Sequence, residues 1–148
     1  MIYLVHHAAA VEPSEDASRP LSVGGRATAA LLALEAARRG AKPECVWHSG
    51  KLRARQTAEA YWRACNPFAT FTAERGLQPS DPPEWFRDKL FGDTRELMAV
   101  GHMPNIARLL HVLLGDDPDA SRMSFPVHGL VALEAVGDRW LERWRLGQ

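Results

Sequence analysis

The stretch Met1-Ile2-Tyr3-Leu4-Val5-His6-His7-Ala8 decides the architecture. Four consecutive apolar strand formers, Ile2 to Val5, fit a strand buried on both faces, and such strands lie inside parallel sheets covered by helices. Ligands of open α/β sheets bind just beyond the carboxyl ends of the strands, where His6 and His7 stand. Two more segments repeat the pattern. Glu44-Cys45-Val46-Trp47-His48-Ser49 reads as a buried strand ending in His48-Ser49, and Glu96-Leu97-Met98-Ala99-Val100 as one ending in Gly101-His102. If the three run parallel, their ends bring these histidines to one edge of the sheet.

Helical segments fill the spaces between them. Ser22 is a candidate cap, and Ala30, Leu31, Leu34 and Ala37 are spaced for one face of a helix over residues 27–39. Gly40 stops it and Pro43 forbids resumption. Gly24 and Gly25 suit close packing or close approach of a ligand. Residues 52–65 predict a second helix, ended by Asn66-Pro67, and residues 68–72 a short strand. The Pro- and Gly-rich stretch 74–84 is irregular. A short helix follows at 84–90, with Trp85 and Phe86 as candidate walls of a substrate entrance. A last helix runs from 106 to 114, with Pro104 suited to its first turn, and stops at Gly115-Asp116-Asp117-Pro118. Residues 130–136 and 140–146, joined by Gly137-Asp138, predict a hairpin. This order gives an α/β three-layer sandwich: a mostly parallel central sheet, helices on both faces and an antiparallel edge, in one domain over residues 1–148.

Composition narrows the function classes. The chain is 46% hydrophobic and 24% charged, with 18 Lys+Arg against 18 Asp+Glu. Zero net charge gives no footprint for nucleic acid or an anionic membrane as partner. No apolar run is long enough to span a bilayer. The N-terminus lacks the basic, apolar and cleavage-site segments of a signal peptide, which gives the expectation of a cytoplasmic protein. Cys45 and Cys65 lack metal-ligand spacing and read as buried free thiols. The sequence does not encode an oligomeric state in any legible form.

The three strand ends carry the chemistry. Two of them lead into helices, whose N-termini attract anions. The helix after Ser49 begins Lys51-Leu52-Arg53-Ala54-Arg55. Cations there oppose the helix dipole unless they have an anion to bind. Arg53 offers a planar fork matched to phosphate, and Lys51 a point charge. Arg53 and Arg55 are two residues apart, so one faces the pocket and the other water. Neutral imidazole is a competent nucleophile, and two histidines with an arginine suffice for phosphoryl transfer with no metal or other cofactor. Adjacent residues at a strand end point to opposite faces, so His6 and His7 are not expected to share a metal ion with His48 and His102. His111 reads as structural or half-exposed, and His128, just ahead of the hairpin, as structural rather than as a residue of the pocket rim.

These residues resemble the histidine phosphatase superfamily, the phosphoglycerate mutase-like fold, and within it the small SixA-type phosphohistidine phosphatases. The family's strand followed by Arg-His-Gly stands here as Tyr3-Leu4-Val5-His6-His7-Ala8. Its Ser-Pro followed by Arg-Ala-x-Gln-Thr stands as Ser49-Gly50-Lys51-Leu52-Arg53-Ala54-Arg55-Gln56-Thr57. Its strand with Gly-His and a proline stands as Val100-Gly101-His102-Met103-Pro104, and Arg19-Pro20-Leu21-Ser22 resembles Arg-Pro-Leu-Thr before the first helix. The resemblance implies that His7 is phosphorylated, that Arg53 binds the phosphoryl group and that His102 stabilises its charge.

The departures are specific. His6 replaces the family arginine and Ala8 its glycine. His48 stands where serine is common, and Lys51 where an apolar residue is common. Lys51 or His48 is expected to supply the charge lost at position 6, which makes His6, Lys51 and His48 substrate-binding candidates. The general-acid Glu of many members has no counterpart in Leu77-Gln78-Pro79; Asp81 and Glu74 are the nearest carboxylates. Phosphohistidine protonated on its other nitrogen leaves as neutral imidazole and needs little acid help, whereas an alkyl phosphate needs a proton donor. The expected substrate is therefore protein phosphohistidine or another small phosphorylated compound. A phosphate- or phosphoprotein-binding module on the same fold is the alternative.

Overall fold

The computed structural model describes residues 1–115 and 124–147. Six strands form one sheet: β1 (Ile2–His6), β2 (Cys45–His48), β3 (Thr70–Ala73), β4 (Leu97–Gly101), β5 (Leu130–Val136) and β6 (Arg139–Leu146). Their order across the sheet is β3-β2-β4-β1-β5-β6. β1, β2, β3 and β4 are mutually parallel, while β5 runs antiparallel to β1 and β6 antiparallel to β5. This is the mixed α/β arrangement that the sequence predicts. The predicted stop at 116–118 lies outside the described residues.

Alternation along the buried strands divides the core into two layers. Ile2, Leu4, Cys45, Trp47, Leu97 and Ala99 face one side, where they pack against α3 (Pro83–Leu90) and α4 (Asn105–Leu114). Tyr3, Val5, Val46, Met98 and Val100 face the other, against α1 (Val23–Arg38) and α2 (Leu52–Cys65). Both faces of the central strands are covered, as near-continuous apolar runs require.

Helix α1 differs from its predicted form. It starts four residues earlier, capped by Ser22, whose Oγ accepts the Gly25 N–H at 3.0 Å. Its buried stripe is Gly25, Ala29, Ala33 and Ala36, while Leu31 and Leu34 are exposed. Small residues bring the helix axis close to its neighbours, and a Cβ at position 25 would collide with the Ala9 carbonyl. Apolar residues all round this helix leave no contrast from which its buried face can be read. The short strand β3 starts two residues later and ends one residue later than predicted, and Phe68 is exposed. Phe86 is fully buried, edge-on to Trp47 with ring centroids 5.8 Å apart, so it is core rather than entrance wall. Trp85 stays partly exposed under the Arg75 guanidinium, 4.1 Å from its ring.

Candidate active site

The carboxyl ends of β1, β2 and β4 meet on one edge of the sheet, because the three strands are parallel and adjacent in register, with His6 opposite Gly101 and His48 opposite Val100. His7 continues β1 by donating its main-chain N–H to Gly101 O at 3.0 Å. The rings of His7 and His102 lie 5.0 Å apart, centroid to centroid. Two side chains of the Arg53-Ala54-Arg55-Gln56-Thr57 motif tie this edge to α2. Thr57 Oγ1 accepts the Ala8 N–H at 2.9 Å and donates to Arg53 O at 2.8 Å. Gln56 Oε1 accepts the Leu21 N–H at 2.7 Å and so holds the Arg19-Pro20-Leu21-Ser22 segment. These tethers fix the nucleophile candidate relative to the arginine, a role the motif's spacing alone does not disclose.

Hydrogen bonding sets the proton on each imidazole. His7 Nδ1 lies 2.7 Å from Ala8 O. A carbonyl only accepts, so Nδ1 carries the proton and Nε2 keeps its lone pair. His102 Nε2 lies 2.7 Å from Ser49 Oγ, which accepts the Lys51 N–H at 3.3 Å. The hydroxyl still has its proton to donate to Nε2, the arrangement that leaves the proton on His102 Nδ1. That nitrogen and Arg53 Nε are buried without a partner. Two orphaned polar groups in one site are positioned for a ligand to satisfy them. Burial, reinforced by neighbouring positive charge, lowers His7 from 6.5 to about 4 and His102 to about 3. Both imidazoles are therefore neutral at physiological pH.

His6 and His7 converge, contrary to the expectation of opposite faces. Their ring centroids are 4.6 Å apart. β1 ends at His6, and although the His7 N–H still reaches Gly101 O, the strand alternation is not carried past it. The residue that sequence reasoning assigned to structure, His128, completes the group. Its ring stacks on His6 at 4.8 Å and 8°, its N–H donates to His6 Nδ1 at 2.8 Å, and its own Nδ1 lies 2.6 Å from His7 O. Its backbone is left-handed, with φ 57°. Among the described residues, ring nitrogens of His6, His7 and His128 form a group within 4.8 Å of one another, the spacing of a metal site. The tautomers do not suit one. His6 Nδ1 is engaged by a backbone N–H, so its Nε2 carries the proton and has no lone pair for an ion. Burial lowers His6 to about 3, which makes it a neutral N–H donor where the family pattern has a cation.

The remaining candidates divide. Lys51 is exposed at the head of α2, and its charge is among those that lower His102. Arg55 pairs with Glu59 at 3.6 Å and faces water, while Arg53 turns inward. The structure does not bring the His48 ring into the group. It packs on Phe71 at 5.0 Å, and its Nδ1 takes the Gly50 N–H at 3.0 Å. Burial lowers its pKa, which opposes the charge expected of it. Arg19 lies within electrostatic reach of this group. Its charge is felt at both His7 and Arg53, its Nε donates to Val11 O at 3.0 Å, and its backbone is left-handed, with φ 49°.

No family model and no curated protein sequence matches this chain. Solved structures do. An Agrobacterium tumefaciens protein assigned as the phosphohistidine phosphatase SixA is 28% identical, with a TM-score of 0.83 over 99% of this chain and 97% of that one. The fold is that of the histidine phosphatase superfamily. A protein histidine phosphatase SixA complexed with tungstate has a TM-score of 0.82 at 20% identity, covering 99% of this chain and 96% of its own. An Escherichia coli protein assigned as an alpha-ribazole-5'-P phosphatase has a TM-score of 0.74 at 14% identity, over 96% and 93%. These two show the histidine phosphatase fold alone. No helix among the described residues is long and apolar enough to cross a membrane.

Proposed function

We propose that this chain is a phosphatase that works without a metal, through a phosphohistidine on His7, on protein phosphohistidine or a small phosphorylated compound. One observation carries the reading. His7 Nδ1 is committed to Ala8 O, so the Nε2 lone pair is left free beside His102 and Arg53. Neutral imidazole attacks phosphorus, and the buried Arg53 and His102 donors hold the phosphoryl oxygens as charge develops. His6 contributes a further N–H. The protein assigned as a phosphohistidine phosphatase, 28% identical over nearly the whole chain, adds support.

The test is turnover of p-nitrophenyl phosphate and of a phosphohistidine peptide, with trapping of the intermediate. The expected result is an acid-labile, alkali-stable phosphate on His7, absent in His7→Ala. Binding of phosphate without turnover or labelling would replace this reading with the binding module, which the neutral His6 favours.

A further inference from the structure

The mechanism so far leaves proton transfer to the leaving group without an owner. Both carboxylates that the sequence offers are engaged elsewhere. Asp81 Oδ2 accepts the Gln78 N–H at 3.0 Å within its own turn. Glu74 pairs with Lys89 at 2.8 Å and takes the Thr72 hydroxyl at 3.3 Å. His6, His7 and His102 have their tautomers fixed for other tasks.

We infer that His128 is the proton-transfer residue of the site, and that it admits phosphate monoesters whose alcohol is a poor leaving group. This rests on the phosphatase reading and narrows it. Nδ1 of His128 donates to His7 O, so Nε2 is the nitrogen left to exchange a proton. The ring is held on three sides: by that bond, by its stacking on His6, and by its own main-chain N–H on His6 Nδ1. His6, His7 and His102 are buried, but His128 is half-exposed at the rim, where it can exchange protons with water. Its ring centroid is 5.9 Å from that of His7, close enough for an ester oxygen departing from a phosphorus bound to His7 to meet it.

The proton balance closes over two steps. In the first, the His7 Nε2 lone pair forms a bond to phosphorus and the ester P–O bond breaks. The departing oxygen takes the proton from protonated His128 Nε2, releasing the alcohol and leaving His128 neutral. In the second, water attacks the phosphohistidine and gives its proton to His128 Nε2. The N–P bond breaks, phosphate leaves, and both histidines return to their starting states. A positioned general acid–base of this kind contributes about a hundredfold or more, and chiefly where the leaving group is poor.

The experiment compares wild type with His128→Asn and His128→Gly on an aryl ester, p-nitrophenyl phosphate, and an alkyl ester, glycerol phosphate. Asparagine and glycine both tolerate the left-handed backbone, and the asparagine amide can still donate to His7 O. The expected result is a fall of about a hundredfold or more in kcat/KM on the alkyl ester and under about fivefold on the aryl ester. Added imidazole should restore alkyl-ester turnover in His128→Gly. Equal losses on both esters, absence of rescue, or a wild type that cleaves only the aryl ester would overturn the role of His128 and leave the phosphatase reading standing. A wild type inert on both esters and on the phosphohistidine peptide would overturn both.

Discussion

Ser49 Oγ sits 2.7 Å from His102 Nε2, joining the end of β2 to the end of β4 across 53 residues of chain. By donating to Nε2, the hydroxyl keeps the proton on Nδ1, the nitrogen proposed to hold the phosphoryl oxygens. Ser49→Ala removes that constraint and leaves the ring free to adopt the opposite tautomer. A hydrogen bond of this kind is worth about 1 kcal/mol, so kcat should fall about fivefold to tenfold with little change in KM. Steady-state kinetics on p-nitrophenyl phosphate checks this.

Arg53 should not tolerate lysine. Its Nε is buried and unpartnered, and an ammonium cannot reproduce the planar fork. Arg53→Lys is expected to weaken phosphate or tungstate binding at least tenfold, read by calorimetry. Retained affinity would show that the charge alone, and not the fork, matters.

The imidazole protons are directly observable. Nitrogen-15 spectra at neutral pH should show His7 and His128 protonated at Nδ1 and His6 at Nε2. The first and third should stay neutral at pH 5.5, because burial lowers them to about 4 and about 3.

The same shifts make stability depend on pH with a definite sign. In the unfolded chain His6, His7 and His102 take up protons below about 6.5, while in the folded chain they resist until about 3 to 4. The unfolded state therefore binds more protons in between, and folding stability drops as pH falls from about 6.5 towards 4. Thermal melts across that window should show a falling Tm that phenylalanine at position 6 makes shallower.

Gly25→Ala tests the seam between α1 and the loop after β1. The new methyl meets the Ala9 carbonyl, and backbone cannot yield as a side chain would. The cost expected is about 1–3 kcal/mol, read as a lowered midpoint in urea.

Much of this was legible in advance for a physical reason. Apolar runs ending in histidine place strands and their active edge together, because burial on both faces admits few architectures. That Arg53 and Arg55 point different ways follows from helical spacing, and the motif singles out Arg53. What escaped depends on distant chain. The buried stripe of α1 is set by how closely α2 and Ala9 approach, not by its own pattern. Convergence of His6 with His7 arises where the strand pleat stops. His128 is brought in by the antiparallel pairing of β5 with β1 and by one left-handed residue, neither of which has a local signature.

That antiparallel pairing also orders events during synthesis. His6 and His7 are made early relative to the residue that orients His6, which follows 122 positions later. Until β5 docks beside β1, the His6 tautomer is unset and the His7 carbonyl lacks its His128 partner. A nascent or truncated chain that ends before β5 retains the partners of the His7 and His102 rings, Ala8 O and Ser49 Oγ, but lacks the one that orients His6. The orientation of His6 and the partner of the His7 carbonyl are thus set only once β5 and the residues just before it have been made.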